Sequence, residues 1–366
     1  MLTEDSADKF VDAARPVREG EALDEAKLKD YLKEVLPDLT GPLSVQQFPS
    51  GHSNLTYLLK VGETEWVLRR PPRGKEIKTA HDMEREYRIL SRLENIYPKI
   101  PRPLAYCGDV DVLGVPFYVM ERVKGIILRG KEPPKELNLP GDVMRGLCLA
   151  AVKNLVSLHG VDIEASGLIE LGKPGGYVSR QVKGWTERYF NAKTDELPKL
   201  EEVATWLDEN KPGEKGASLI HNDYKFDNLV LNPQDLTQIL AVLDWEMATV
   251  GDPLMDLGTS LGYWVDPADP DPVKVLPFGP TLLEGNLNRA QVVERYSQES
   301  GLPVERPVFY YVYGLFKVAV IAQQIYKRYK EGFSKDPRFA MMIMGVRILG
   351  DQALRAVEKN RIYDLG

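Results

Sequence analysis

The sequence of 366 residues predicts an α+β fold with a small antiparallel-sheet N-lobe and a large, mainly helical C-lobe. Three observations carry this prediction. Between 43 and 120 the chain runs in short alternating segments broken by turns, which is typical of antiparallel strands. Beyond 143, longer stretches repeat their apolar residues at the spacing of amphipathic helices. Within that helical part, at 219–243, short apolar runs carry polar residues at their ends.

The composition is that of an ordinary soluble enzyme, with 43% hydrophobic residues, 28% charged residues and a formal net charge of −7. An acidic chain without a block of Lys and Arg gives little support to nucleic-acid binding. Only Cys107 and Cys148 occur, so neither a disulfide framework nor a thiolate metal cluster is expected.

The chain also lacks the patterns of targeting and membrane segments. It opens with the acidic run Met1 to Asp5, so we expect no signal peptide and a cytoplasmic location. The most apolar late run, Val308 to Tyr326, contains Lys317, Gln323 and Gln324. We expect it to be a buried helix rather than a membrane span.

Residues 1–44 are expected to form an extension in front of the sheet. A helix capped by Asp24 and ending near Pro37 is predicted from apolar residues at helical spacing, Leu28, Tyr31, Leu32, Val35 and Leu36. The sheet's first turn, Pro49 to Asn54, contains Ser50, Gly51, Ser53 and Asn54. Backbone and hydroxyl donors at such a turn can cradle phosphates. An ordinary hairpin turn fits the same residues equally well.

The strand Trp66 to Arg70 and the helix Asp82 to Leu93 come next. In a strand, Arg69 points to the face opposite Arg70, so only one of the two arginines can face a cleft. Glu86 lies near the apolar stripe of the helix, so it could pair with Arg69. A solvated glutamate is the alternative. After Met120, the run Glu121 to Gly125, which includes Val123, is expected to join the lobes and to offer backbone groups to an adenine ring.

The rest of the chain is expected to be mostly helical. Helices are predicted at 143–158, 178–190, 200–207, 288–300, 307–330 and 338–359. The proline-rich run Asp266 to Pro272 predicts a mobile or polyproline-like loop.

The stretch that predicts function is His221 to Asn228, followed by Leu243-Asp244-Trp245. It has the form H-x-D-x-K-x-x-N, which in kinases places an aspartate at the attacking hydroxyl and an asparagine on magnesium, with a later aspartate completing the metal site. Asp223, Asn228 and Asp244 fill those positions. Phosphoryl transfer needs these residue types because the site must position a hydroxyl and neutralise phosphate charge. A polar surface hairpin is the alternative.

With these pieces in order, residues 45–360 resemble the aminoglycoside phosphotransferase and choline kinase group of small-molecule kinases. More narrowly, four stretches resemble the kinase-like domain that some acyl-CoA dehydrogenases carry: Trp66 to Pro72, Asp82 to Arg88, His221 to Asn228 and Leu243 to Asp256. The resemblance implies a two-lobed, protein-kinase-like fold. It divides the chain into the extension at 1–44, a nucleotide-binding N-lobe at 45–121 and a catalytic, acceptor-binding C-lobe at 122–366.

The resemblance also implies ATP and Mg²⁺ as cofactors. Asp223 would orient or deprotonate the acceptor hydroxyl, and Lys225 matches the lysine that protein kinases place on the γ-phosphate. Asn228 and Asp244 would bind the metal, while Ser50, Gly51, Ser53, Asn54, Met120, Glu121 and Val123 would surround the nucleotide. Glu86 would anchor Arg69, which stands where a lysine is usual and which is not interchangeable with it.

His221 and Asp256 would be structural residues of the catalytic loop, the aspartate tying the loop from below. The aromatic residues Tyr263, Trp264, Tyr310, Tyr311, Tyr313 and Phe316 are candidates for an acceptor pocket, although such spacings are more often core.

The acceptor is expected to be a small anionic molecule. Between Asp244 and Asp256 there is no room for a peptide-binding segment, which disfavours a protein substrate. From Gly301 to Gly366 the chain has eleven Lys or Arg against six Asp or Glu, a net +5. This bias favours a hydroxy acid or hydroxyacyl-CoA and a functional link to an acyl-CoA dehydrogenase. A solvated helix surface would show the same bias. Aminoglycosides and choline remain alternatives, as does a pseudokinase that binds nucleotide without turnover, and the oligomeric state is left open.

Overall fold

The structure is a computed structural model that describes residues 8–36, 41–49, 54–72, 82–137, 139–334 and 336–366. Its contacts divide the chain into two compact units. The first unit is Met1–Ile127 with Asn228–Ala248, and the second is Leu128–Asp227 with Thr249–Gly366. The first unit therefore includes a segment, 228–248, that the sequence placed in the C-lobe. The domain boundaries expected near 44 and 121 stay predictions.

The described residues form nine strands: β1 (Leu43–Gln47), β2 (Leu55–Val61), β3 (Thr64–Arg70), β4 (Pro103–Cys107), β5 (Phe117–Glu121), β6 (Ser218–Ile220), β7 (Leu229–Leu231), β8 (Ile239–Val242) and β9 (Thr249–Gly251). The first five form the predicted antiparallel sheet, in the order β1-β2-β3-β5-β4. In the first unit β7 pairs with β8, and in the second β6 pairs with β9. Strand β9 was not predicted, because three residues that end in glycine are too few to show an alternation of apolar and polar side chains.

The described residues also form eleven α-helices: α1 (Glu25–Val35), α2 (Met83–Leu93), α3 (Val110–Leu113), α4 (Gly141–His159), α5 (Tyr177–Ala192), α6 (Pro198–Glu209), α7 (Pro253–Gly262), α8 (Asp271–Lys274), α9 (Arg289–Ser300), α10 (Pro307–Lys330) and α11 (Met342–Lys359). All six helices predicted beyond 143 are present. The last is preceded by a 3₁₀ turn, Pro337–Met341.

Helix α1 packs on the sheet of the first unit. Its Leu28 and Leu32 are fully buried in one apolar cluster with Leu68 of β3. Burying a leucine contributes roughly 1.5–3 kcal/mol, so these contacts hold the helix in place. The Asp24 side chain accepts the N–H of Lys27, which satisfies one of the open donors at the helix start. The helix and its cap are those that the sequence predicted.

Helix α2 presents a glutamate to the interior of the first unit. It begins after Asp82, whose side chain accepts the Arg85 N–H at 3.0 Å. Glu86 is only 2% exposed. The buried apolar residues of the helix are Met83, Ile89, Leu90 and Leu93. The alternative of a solvated Glu86 is therefore wrong.

Helices α7 and α10 of the second unit cross at glycines. A Cβ on Gly314 would lie 1.9 Å from the Gly258 carbonyl oxygen, and one on Gly258 would lie 2.3 Å from that of Tyr310. Only residues without a side chain allow this approach. Within the described ranges α10 is the one helix long and apolar enough to cross a membrane, and 78% of that apolar window is buried in the protein. It is the buried helix that the sequence predicted.

The run Asp266 to Pro272 is a loop up to Pro270, whose φ of −58° and ψ of 147° are polyproline-like, and helix α8 begins at Asp271. Asp266 and Asp269 are each 2% exposed, and the Arg289 guanidinium donates to Asp269 at 2.6 Å. These contacts hold the loop, because a buried guanidinium requires carboxylate partners.

Candidate active site

The loop after β6 carries the predicted catalytic residues and is held by the buried carboxylate of Asp256 on α7. Its oxygens accept the backbone N–H groups of His221 and Asn222, each at 2.7 Å. Asn222 has a φ of 65°, a left-handed conformation that costs free energy in a residue other than glycine. Burial raises the pKa of the Asp256 carboxyl, but hydrogen bonds from His159 and the loop bring it below its ordinary value. A charged carboxylate therefore ties this loop.

His221 lies inside the loop rather than at its surface. Its side chain is fully buried, and its Nδ1 accepts the backbone N–H of Asp223 at 3.3 Å. His221 therefore bonds to the backbone of its own loop, which fits the structural role expected for it.

Asp223 and Lys225 are in contact, and a tyrosine joins them. The Lys225 ammonium donates to both carboxylate oxygens of Asp223, at 2.9 and 3.0 Å. The hydroxyl of Tyr263 donates to Asp223 Oδ1 at 2.8 Å, and Lys225 Nζ lies 4.6 Å from the centre of the Tyr263 ring. Burial lowers the pKa of Lys225, but Tyr263 and Asp223 raise it more, so the net pKa is above its ordinary value. A partly exposed carboxylate thus stands beside a fixed positive charge.

The first unit gathers three carboxylates around Arg69. Arg69 Nε lies 3.4 Å from Glu86 Oε1, and Nη2 lies 3.1 Å from Asp244 Oδ1. Glu246 Oε2 is 3.5 Å from the same Nη2. Arg70, the next residue of β3, instead donates to the hydroxyl of Tyr57 at 3.0 Å. The predicted pairing of Arg69 with Glu86 is therefore present.

This cluster brings three carboxylates together around one guanidinium. The side chains of Glu86, Asp244 and Glu246 each lie within 3.5 Å of a nitrogen of Arg69. Burial raises the pKa of Glu86, Arg69 opposes that shift, and Asp244 adds to it. The Asp244 side chain is 35% exposed, so its carboxylate is accessible.

Asn228 lies beside Asp244 in the chain's hairpin. The N–H of Leu243 donates to the Asn228 carbonyl oxygen at 2.8 Å, which joins the arms that carry the two predicted metal ligands. Among the described residues, no group of three or more His, Cys, Asp or Glu has a metal-binding arrangement. Magnesium does not require such a group, since it is usually held by one or two carboxylates together with substrate phosphates. The oxygen donors of Asn228 and Asp244 fit that ion.

Comparison with protein families identifies the chain. Residues 44–287, which include both sets of site residues, match the model of the phosphotransferase enzyme family. The chain belongs to this family. It is therefore a phosphotransferase.

Two curated relatives are similar over most of this phosphotransferase. It is 35% identical to acyl-CoA dehydrogenase family member 10 of Mus musculus over 325 residues, which are 86% of this chain and 29% of that protein. It is also 35% identical to acyl-CoA dehydrogenase family member 11 of Gallus gallus, with 86% of this chain and 41% of that protein covered. The phosphotransferase thus spans less than half the length of these relatives.

Solved structures share the fold. A Ralstonia eutropha protein with the provisional description of aminoglycoside phosphotransferase is 28% identical and superposes with a TM-score of 0.78, covering 92% of this chain and 99% of that one. Choline kinase from Cryptosporidium parvum has a TM-score of 0.59 and 15% identity, covering 93% and 98%, and shows the fold alone. These likenesses confirm the predicted kinase-like α+β fold class.

The other predicted nucleotide-binding residues of this phosphotransferase have different surroundings. Asn54 is buried, and its side-chain amide donates to Glu246 Oε2 at 2.8 Å. Met120 is buried in β5, and the N–H of Glu121 donates to the Arg102 carbonyl at 2.8 Å. Val123 is half-buried just beyond the strand. Their contacts with a nucleotide stay predictions, and Ser50, Gly51 and Ser53 lie outside the described residues.

Two residues of the phosphotransferase site were missed by the sequence reasoning. Glu246 follows Asp244 by two positions in a 3₁₀ turn and joins the Arg69 cluster. An acidic residue so close to a predicted metal ligand was a signal that could have been used. Tyr263 was considered only for an acceptor pocket. Its bond to Asp223 spans 40 positions, and no local pattern indicates it.

The remaining aromatic candidates divide into core and half-exposed residues. The four on α10 are almost wholly buried and belong to the core: Tyr310, Tyr311, Tyr313 and Phe316. Tyr263 and Trp264 are half-buried. Trp264 lies 5.4 Å from the ring of Phe226, and Tyr263 lies 5.3 Å from that of Phe278. Within the second unit, these rings are the better candidates for contact with an acceptor.

Proposed function

We propose that this phosphotransferase moves the γ-phosphoryl group of ATP to a hydroxyl group of a small molecule, with magnesium as the metal. The observation that carries the proposal is that the Asp223 carboxylate already accepts a hydroxyl hydrogen bond, from Tyr263 at 2.8 Å. An acceptor hydroxyl presented to this carboxylate would be oriented and would transfer its proton to it as the hydroxyl oxygen bonds to the γ-phosphorus and the bond from that phosphorus to the ADP oxygen breaks. Lys225 supplies positive charge next to the same carboxylate, and this charge would stabilise the negative charge of a γ-phosphate bound there.

The nucleotide and the metal are assigned to the cluster of the first unit. Arg69, held in place by Glu86, would bind phosphate oxygens with its guanidinium fork. Asn228 and Asp244 would bind magnesium through oxygen atoms. The bound metal would supply positive charge that stabilises the negative charge of the phosphate groups.

We further propose an anionic acceptor, a hydroxy acid or a hydroxyacyl-CoA. The net charge of +5 at 301–366 supports this class, although Lys327 and Lys330 already pair with Glu331 and Asp195. Arg188, an exposed guanidinium 4.7 Å from the Trp185 ring, adds positive charge in the same unit. The names of the curated relatives support acyl-CoA chemistry and a functional link to an acyl-CoA dehydrogenase.

An aminoglycoside is the second candidate acceptor. The description of the Ralstonia eutropha structure favours it. A polycation requires facing carboxylates, however, and a basic surface would repel it. The charge of the acceptor therefore distinguishes an anionic hydroxy acid or hydroxyacyl-CoA from a cationic aminoglycoside.

The test is magnesium-dependent ADP release from ATP with a panel of hydroxyacyl-CoA thioesters, free hydroxy acids, choline and kanamycin. Release that depends on a thioester or an acid supports the proposal. Release with kanamycin or choline alone would overturn the anionic acceptor but keep the phosphotransferase. Tight Mg-ATP binding with no turnover on any member would favour a nucleotide-binding protein instead.

A further inference from the structure

A lysine of α10 is buried in the second unit beneath the catalytic loop. Lys317 is 1% exposed. Its ammonium donates to the Asn222 carbonyl oxygen at 2.8 Å and to the Asn222 side-chain oxygen at 3.0 Å. A third contact, at 3.4 Å, reaches the hydroxyl of Thr259 on α7. All three acceptors are uncharged oxygens.

Burial makes this lysine costly for the fold. An ammonium group removed from water loses its hydration, and neutral acceptors offset that loss less than a carboxylate does. Burial accordingly lowers the pKa of Lys317 to about 8, although Asp256 and Asp223 oppose the shift. An apolar residue of similar length would avoid the cost, so the contacts of the ammonium need an explanation beyond packing.

The contacts fall on the residue where the loop is strained. Asn222 has a φ of 65° and immediately precedes Asp223. Its N–H is held by Asp256, and its C=O and side chain are held by Lys317. The Asn222 carbonyl belongs to the planar peptide group that also contains the N and Cα atoms of Asp223. Fixing that oxygen therefore fixes the orientation of the backbone that carries the Asp223 side chain.

The helix crossing explains how Lys317 reaches the loop. Gly314 of α10 and Gly258 of α7 allow the two backbones to touch. Lys317 lies three residues after Gly314, and Thr259 follows Gly258 directly. One helical turn beyond the crossing, the lysine side chain therefore lies against α7 and the start of the loop.

We propose that Lys317 is a positioning residue for phosphoryl transfer, which holds the left-handed Asn222 peptide and thereby aims the Asp223 carboxylate at the acceptor hydroxyl. This inference rests on the proposed function. Lys317 itself touches neither substrate nor nucleotide in this role. Its effect is on the geometry of the chemical step.

The test uses Lys317→Met together with a matched control on the same helix. Gln323 is also fully buried on α10, and its side chain donates to the Ala192 carbonyl at 2.9 Å, away from the catalytic loop. Methionine replaces either side chain at similar length and removes the donors. Steady-state kinetics with the accepted substrate, thermal unfolding, and hydrogen exchange of peptides that cover 220–225 are measured for both variants and the wild type.

Lys317→Met is expected to lower kcat by about 10²-fold, because small displacements of a reacting group cost that much. The KM for Mg-ATP should stay within about twofold, since the nucleotide is assigned elsewhere. Hydrogen exchange at 220–225 should become faster in Lys317→Met. Gln323→Met should keep kcat and loop exchange near the wild-type values, even if its melting temperature falls as much as that of Lys317→Met.

A Lys317→Met variant with wild-type kcat and wild-type loop exchange would overturn the inference. Equal losses of kcat in Lys317→Met and Gln323→Met at equal destabilisation would overturn it too. If the wild type transfers phosphate to no acceptor, the proposed function fails instead. Exchange at 220–225 then decides by itself whether Lys317 holds the loop, with unchanged exchange counting against it.

Discussion

Arg69→Lys tests whether the guanidinium fork, rather than its charge, organises the cluster of the first unit. Arg69 uses two different nitrogens, with Nε 3.4 Å from Glu86 and Nη2 3.1 Å from Asp244. A lysine ammonium is a single centre and cannot occupy both positions. The substitution therefore keeps the charge but leaves one of the carboxylates without its partner.

The size of the effect follows from the burial of the cluster. The Arg69 guanidinium donates a hydrogen bond to Asp244 at 3.1 Å, and a hydrogen bond to a charged group contributes about 1.5–3 kcal/mol. Its contact with Glu86 is an ion pair, and because Glu86 is 2% exposed and the Arg69 side chain 10% exposed, solvent screens little of that ion pair. We expect the free energy of unfolding to fall by about 2 kcal/mol. If the substitution also weakens the free energy of Mg-ATP binding by about 1.4 kcal/mol, the Kd for Mg-ATP rises roughly tenfold.

The assay combines chemical denaturation with calorimetric titration of Mg-ATP, and Arg70→Lys is the matched control. Arg70 is 1% exposed in the same strand, and its guanidinium donates to the Tyr57 hydroxyl and the Glu21 carbonyl rather than to carboxylates. The control should lose stability while its Kd stays at the wild-type value. Wild-type affinity in Arg69→Lys, or an equal loss of affinity in Arg70→Lys, would refute the reasoning.

Three further substitutions test the remaining groups. Asp223→Asn should lower kcat by about 10²–10⁴-fold, the range for a lost general base, while calorimetry finds Mg-ATP binding unchanged; retained turnover would contradict its role. Asp244→Asn should weaken nucleotide binding only when magnesium is present, and an unaltered magnesium titration would count against that ligand. Burial raises the pKa of Asp266 from 3.8 to about 6, so its contribution to stability is greatest below pH 3.8 and is lost as the pH rises through 6. In Asp266→Asn, the free energy of unfolding, measured by denaturant at several pH values, should fall less between pH 3.8 and 6. An unchanged dependence on pH would show that another group titrates.

The sequence by itself determined the fold class and the residues whose chemistry is local. Asp223, Lys225 and Asn228 lie within six positions, so their spacing alone predicted a phosphoryl-transfer loop. Periodicity allowed only one of Arg69 and Arg70 to face a cleft and placed Glu86 near the apolar stripe of its helix, and the resemblance to kinases predicted that Arg69 and Glu86 pair. Local periodicity is what a sequence records directly.

Only the tertiary structure decided the contacts that join distant segments. Tyr263 bonds to Asp223 across 40 positions, and Lys317 bonds to Asn222 across 95. The second bond depends on where α7 and α10 cross, and that crossing is set by the fit of two glycine surfaces rather than by the period of either helix. The buried hydrogen bond between Arg289 and Asp269 also joins distant segments, because Arg289 lies on α9 and Asp269 lies in the loop before α8. A pattern along one segment carries no information about the element that packs against it.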